Sequence, residues 1–343
     1  MSRSSGPIRR RREFLTRLFV LLAISHPAGR VAAGVIVDHN ATSFDARYDR
    51  FASGFPTAPV PNTSTSFVGS GFDLSGVGWF PSTQFFSVAM VSERHFIAAA
   101  HAPPGPGTQL NFYDPVSNVV RTYTVQSGRR PLTEFVNSQG QLQSLPSDVF
   151  LGTLTAPIPA SDHIGFFPIA SGADSSFIGA STLHYGQNPT YGTGNQMHLG
   201  RNNVQVIDTT SFDGPNPVNE ATRVFAFDWT PTNPGEIYLI GGDSGGPSFL
   251  NIGGRLTMLG AHYGVTNPTS TPNPGDQSVD TFLPYYINQL NAFMAQDTDA
   301  THPNGYSLTI VAVPEPGALV LTGVGVIAAT YIRRRRRREV TVV

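Results

Sequence analysis

"GGDSGGP", residues 241–247, places four glycines, a proline, one acid and one serine in seven positions. A turn needs one or two glycines, because glycine alone reaches positive φ without steric cost. Four of them around Asp243-Ser244 leave backbone N–H groups bare and open to close approach. Bare amides beside a single hydroxyl are the makings of an oxyanion-binding loop next to a nucleophile. A serine hydroxyl is scarcely ionised at neutral pH. It needs a base within hydrogen-bond reach and a third group that orients the base. The stretch therefore directs attention outward, to a histidine and an acid in equally constrained settings.

Of nine histidines, His101 stands apart. It ends "FIAAAH", a small-residue strand end from which an imidazole can project without crowding, and "HAPPGPG" then leaves abruptly as a loop. His95, His163, His184 and His198 read as structural residues with satisfied ring nitrogens. For the acid, Asp148 in "LPSDVFLGTL" stands at a loop-to-strand junction followed at once by an apolar run. A carboxylate drawn inward there needs a partner, and a histidine Nδ1–H is a suitable one. Asp73, Asp114 and Asp162 lie in more polar surroundings and read as turn acids.

The texture around these segments is that of an all-β protein. With 35 glycines and 28 prolines in 343 residues, apolar stretches are short and constantly interrupted. "FFSVAMVSERHFIAAAH" (85–101) is a strand, a polar turn at Ser92-Glu93-Arg94, and a second strand. "QLNFYD", "VVRTYTVQ", "DVFLGTL", "STLHYG", "RVFAFDW" and "GRLTMLGAHYGV" add others, which suits a barrel or sandwich. "PYYINQLNAFMAQ" (284–296) is the one amphipathic helix, with Ile287, Leu290, Phe293 and Met294 on one face. Residues 43–66 are Pro/Ser/Thr/Ala-rich and aperiodic, an N-terminal extension. "DTDATHPNG" (297–305) reads as a solvated linker. Cysteine is absent, so no disulfide, thiol nucleophile or thiolate metal site exists.

Charge narrows the function. Every basic residue is arginine, and thirteen of the 22 lie in residues 1–33 and 333–338. Residues 34–312 hold nine arginines against twenty acids, so the body is strongly acidic and should repel nucleic acid. No His/Asp/Glu group shows metal-ligand spacing, and no metal or organic cofactor is expected.

Taken in chain order, "AAAH", "SDVFLGTL" and "GGDSGGP" closely resemble the His, Asp and Ser segments of trypsin-like (chymotrypsin-fold) serine proteases. The region after the serine, "PSFLNIGGRLTMLGAHYGV", and "VDTFLPYYINQLNAFM" resemble that family's closing hairpin, last strand and helix. The resemblance covers roughly residues 67–295. It implies two six-stranded antiparallel β-barrels with a C-terminal helix, and a peptide bond in a protein or peptide substrate as the target. By residue it implies His101 as general base then acid, Asp148 as the carboxylate fixing its tautomer, and Ser244 as the acyl-forming nucleophile. The backbone N–H groups of Gly242 and Ser244 would form the oxyanion hole.

The departures are informative. The family's paired cysteines are missing, so packing and hydrogen bonds alone must hold the loops. Animal members pair the acid before the serine with a new N-terminus; cleavage after Ala33 would leave Gly34-Val35-Ile36-Val37 here. The long polar stretch that follows argues against Asp243 using that amine. At the base of the primary specificity pocket the family position falls on Tyr238, which disfavours Arg or Lys and favours a small or apolar side chain. Tyr263 and Gly264 complete the expected substrate pocket.

Both ends read as addresses. "RRRREFLTR" with "LFVLLAI" and "VAAG" is a secretory signal peptide over residues 1–33, and Arg11-Arg12-Glu13-Phe14-Leu15 also resembles a twin-arginine signal. At the other end, Val313-Pro314-Glu315-Pro316, the apolar "GALVLTGVGVIAATYI" and Arg333–Arg338 resemble a PEP-CTERM sorting signal. That implies a transmembrane helix before processing, an exosortase-type sorting enzyme, the export machinery, and delivery to the surface or extracellular matrix of a Gram-negative-type bacterium. The expected order is signal peptide (1–33), extension (34–66), protease domain (67–296), linker (297–312) and sorting signal (313–338). A catalytically silent surface adhesion or matrix protein on the same fold is the competing reading. An α/β-hydrolase esterase is disfavoured, since its order is Ser, acid, His.

Overall fold

The computed structural model describes residues 34–40, 43–81, 86–188, 196–212, 220–267 and 271–314. The expected signal peptide and the sorting signal from Glu315 onward lie outside these residues. Among those described, no helix is long and apolar enough to cross a membrane.

The fold is mostly β, as expected. Short strands β1 (Val35–Ile36), β2 (Phe51–Ser53) and β3 (Val60–Pro61) open the chain. A closed antiparallel barrel follows, built from β4 (Val77–Trp79), β5 (Ser87–Met90), β6 (His95–Ala99), β7 (Gln109–Asp114), β8 (Val119–Arg129) and, after the hairpin β9 (Leu132–Val136) and β10 (Leu142–Pro146), β11 (Val149–Leu154). The barrel order is β11-β6-β5-β4-β7-β8.

The remaining strands form a second lobe. They are β12 (Ile169–Ser171), β13 (Ser181–Asn188), β14 (Gln196–Asn203), β15 (Val206–Phe212), β16 (Glu220–Asp228), β17 (Ile237–Tyr238), β18 (Pro247–Ile252), β19 (Arg255–Val265), β20 (Gln277–Thr281) and β21 (Ile310–Ala312). Nine of them make one sheet along β14-β13-β18-β19-β20-β16-β15, with β12 joining β19 and β21 in parallel, while β17 pairs with β1. Among the described residues one closed barrel is therefore seen where two were expected. A 3₁₀ turn at Leu283–Tyr286 leads into α1 (Ile287–Met294), which buries Leu290 and Met294.

The barrel strands β4, β5, β6 and β11 are buried along their whole length, so both of their faces are covered, whereas most of β8 is exposed or half-buried. Alternate residues point to opposite faces of a strand. Val88, Met90, Phe96, Ala98, Leu110, Phe112 and Phe150 form one cluster. The intervening Ala89, Val91, Ile97, Val149 and Leu151 join another that includes Tyr185, Phe249 and Met258 of the sheet. One face fills the barrel's own cluster and the other fastens the lobes together.

Within the barrel, Gly152 of β11 sits directly opposite Phe96 of β6. A Cβ at Gly152 would come within 2.0 Å of the Phe96 ring, which is fully buried and has nowhere to swing. Gly152→Ala is expected to lower stability by about 1–3 kcal/mol through overpacking, measured by urea unfolding.

Two stretches read as loose from sequence are packed. In the expected extension, Phe51 and Phe55 stack and enclose Trp79. The buried Arg50 donates to the Val77 and Leu74 carbonyls and to the Tyr185 hydroxyl, touching both lobes. In the expected linker, Asp297 pairs with Arg129 at 2.7 Å and with His95 at 3.0 Å, and Tyr306 and Leu308 are buried. Isolated aromatics in a Pro/Ser/Thr background have no periodicity, so composition concealed their anchoring role.

Candidate active site

His101 stands just beyond β6 and Asp148 just before β11, which are paired neighbours in the barrel. The Ala100 amide donates to the Asp148 carbonyl at 2.7 Å, bringing the two residues side by side. Ser244 comes from the other lobe, in the loop between β17 and β18. The loop can reach the barrel because of Gly245: it has φ 77°, and a Cβ there would meet the Ser87 carbonyl oxygen at 2.7 Å and the Ala99 nitrogen at 3.0 Å.

The three side chains form a continuous chain of hydrogen bonds. His101 Nδ1 lies 2.9 Å and 3.1 Å from the two Asp148 carboxylate oxygens, and Nε2 lies 2.7 Å from Ser244 Oγ. Asp148 also accepts the His101 backbone N–H at 2.7 Å, and its own N–H is held by Thr222 Oγ1 at 2.9 Å. An ionised carboxylate only accepts, so it fixes the proton on Nδ1 and leaves Nε2 to accept from the Ser244 hydroxyl. Asp148 is sealed, whereas the His101 side chain is 16% exposed, enough for an arriving group to touch it.

Burial works to lower the pKa of His101, but the adjoining Asp148 charge and hydrogen bond, helped by Glu220, prevail and raise it. Glu220 is itself pushed up, by burial and by the nearby Asp148, against the opposing Arg130. Its carboxylate accepts from Arg130 at 2.8 Å and from the Tyr263 hydroxyl at 3.2 Å. The Tyr263 ring then meets His101 edge-on, with centroids 6.4 Å apart. Glu220 and Thr222 in "NEATRVFAFDW" and Arg130 in "SGRRPLTEF" were not legible as site residues, since nothing local in either stretch distinguishes them from ordinary strand positions.

The amides of the serine loop divide into two groups. Gly242 takes φ 109°, a conformation that favours glycine. The amides of Asp243, Gly245 and Gly246 are used within the fold, on the Ile240, His262 and Asp243 carbonyls. Those of Gly242 and Ser244 meet no acceptor among the described residues. Asp243 is buried, and one of its oxygens accepts the Ile240 N–H at 3.0 Å and the Gly34 N–H at 2.9 Å. The polar stretch after Gly34 was expected to keep that nitrogen away; instead β1 pairs with β17, and the segment lies against the lobe that carries the serine loop.

Among the expected pocket residues, Gly264 has open space where a side chain would stand. Tyr238 is sealed in the core, its hydroxyl donating to the Asn267 carbonyl at 2.8 Å and accepting the Asn267 N–H at 3.0 Å. Of the expected sorting motif, Val313 donates its N–H to the Ser171 carbonyl at 2.8 Å, and Glu315 and Pro316 lie outside the described residues.

The other histidines divide. His95 is satisfied by Ser92 and Asp297, and His184 by Thr182 and Ser248. His163, in a left-handed backbone conformation, stands 3.3 Å from Asp114. His198 does not fit the expectation of a satisfied residue: it is fully buried, and neither ring nitrogen makes a hydrogen bond of ordinary geometry, although the Gly34 backbone acts on the ring.

No family model matches the chain, and no curated protein matches it.

Proposed function

We propose that this protein is a serine endopeptidase of the trypsin-like type, with Ser244, His101 and Asp148 as its catalytic residues. The observation that carries the reading is the unbroken relay Asp148–His101–Ser244 at 2.9 and 2.7 Å, spanning the junction of the two lobes. Under this reading His101 takes the Ser244 proton as Oγ attacks the scissile carbonyl, and the developing oxyanion turns toward the Gly242 and Ser244 amides. His101 then passes its proton to the leaving amine. The acyl-enzyme is hydrolysed by water that His101 activates in the same way. Removing one oxyanion donor typically costs ~10²–10³ in rate. The nine-stranded lobe takes the place of the family's second barrel.

Cleavage after Ala33 would convert the Gly34 N–H into an ammonium group at the buried Asp243 carboxylate, ordering the loop that carries both amides. The acidic body and both terminal signals support an exported, surface-sorted protein acting on peptide substrates.

A fluorophosphonate probe tests the assignment. Labelling of the wild-type chain at Ser244, lost in Ser244→Ala, is the expected result. An unlabelled, correctly folded wild type would favour the silent adhesion scaffold instead.

A further inference from the structure

We infer that His39, Asp49 and His198 form a binding site for a borderline divalent cation of the zinc type, which fastens the N-terminal segment to the sheet lobe. The inference stands apart from the protease reading and concerns a different part of the molecule.

Two groups of His and Asp side chains converge among the described residues, and they differ in one decisive respect. In the first, His184, His262 and Asp280 are all buried, and the histidine ring nitrogens are all engaged. His262 bonds to Asp280 at 2.8 Å and to the Tyr185 carbonyl, while His184 bonds to Ser248 at 2.8 Å and Thr182 at 2.6 Å. That network closes on itself and asks for no ligand. In the second, His39, Asp49 and His198 present donor atoms within 4.8 Å of one another, and neither nitrogen of the fully buried His198 makes a hydrogen bond of ordinary geometry, although the Gly34 backbone stands close enough to act on the ring. An orphaned polar group inside a protein costs roughly 1–3 kcal/mol, so such groups point to a missing partner.

The backbone brings these residues together deliberately. Asp49 and His198 are opposed in an antiparallel bridge. The flanking hydrogen bonds run from Arg50 N–H to the Met197 carbonyl and from Leu199 N–H to the Tyr48 carbonyl, which makes them a non-hydrogen-bonded pair with closely spaced side chains. His39 Nε2 lies 2.9 Å from one Asp49 oxygen, and the other Asp49 oxygen accepts the Asp45 N–H at 2.7 Å. An outer-shell bond of that sort orients a metal-binding carboxylate. Two glycines keep the surroundings of His198 clear: a Cβ at Gly186 would stand 2.7 Å from His198 Nε2, and one at Gly34 would stand 3.0 Å from it.

Two imidazoles and one carboxylate are a common protein donor set for Zn²⁺, with the fourth position left to water or another ligand. The ion would stand where a proton now bridges His39 and Asp49, and would occupy the lone pair of a neutral His198. In a chain without cysteine, it would supply a cross-link between residues 39 and 49 on one side and residue 198 on the other. It would also lie against Gly34, whose ideal Cβ position is 3.2 Å from the Asp243 carboxylate behind the serine loop.

The test uses the purified protein stripped with a chelator and titrated with Co²⁺ and Zn²⁺. One saturable equivalent of Co²⁺ per chain is expected, with the visible absorption of a low-coordinate nitrogen–oxygen site and displacement by Zn²⁺. Zn²⁺ is also expected to raise the thermal midpoint. His39→Gln should weaken binding beyond the ~10–100-fold cost of an outer-shell change, and His198→Gln should do the same. His39 is at the edge of the cluster, so its variant remains informative if His198→Gln fails to fold. Absence of a saturable equivalent in the wild type would overturn the proposal, as would unchanged binding in the folded His39→Gln variant. Neither readout depends on peptide cleavage.

Discussion

Ser244→Ala is expected to lower kcat by on the order of 10⁶, the loss that follows removal of a triad serine in an unrelated protease with the same constellation. Two consequences make the result specific. The side chain donates to His101 and makes no other hydrogen bond among the described residues, so the urea midpoint should stay at the wild-type value. The bare Gly242 and Ser244 amides remain, so a residual rate of roughly 10³–10⁴ over the uncatalysed reaction should persist. Steady-state hydrolysis of a peptide substrate, with active-site titration of the wild type, gives the comparison. Undiminished turnover in the alanine variant would remove Ser244 from the chemistry altogether.

Asp148→Asn should cost about 10⁴ in kcat with little change in overall geometry. An asparagine amide can donate to Nδ1, which moves the imidazole proton to Nε2 and leaves nothing there to accept from Ser244. The variant also carries a pH signature. In the wild type Asp148 overcomes burial to hold His101 above its ordinary value of 6.5. The proposed mechanism requires the neutral imidazole, so kcat/KM is expected to be lost as pH falls through that raised pKa. Without the Asp148 charge, burial dominates and the pKa falls. The acid limb of the residual activity should therefore move to lower pH. A limb that stays in place would mean that another group governs the profile.

The candidate triad was legible because each member sits in a short, chemically odd stretch: glycines around Ser244, small residues before His101, an acid at the mouth of an apolar run for Asp148. Alternating strand faces and the terminal helix were legible for the same local reason. What escaped depended on contacts between distant parts of the chain. Gly34 and Asp243 are 209 positions apart, and no spacing rule links them. Glu220 matters because Asp148 and Tyr263 arrive beside it. Phe51 and Phe55 anchor the N-terminal segment through single rings, not through a periodic face. His198 read as ordinary because a sequence records which residue is present, and its missing partners become visible only once its neighbours are in place.

Arg50 has a larger consequence than its single charge suggests. His101 and Asp148 belong to one lobe and Ser244 to the other, so the relay exists only while the lobes hold their mutual distance. A guanidinium that grips Leu74 and Val77 on one side and Tyr185 on the other acts as a hinge pin for that distance. Under the protease reading, turnover becomes a gauge of lobe apposition. Loosening at this joint would silence the chemistry while every strand remained folded, and inhibition could be achieved by a wedge that never touches Ser244.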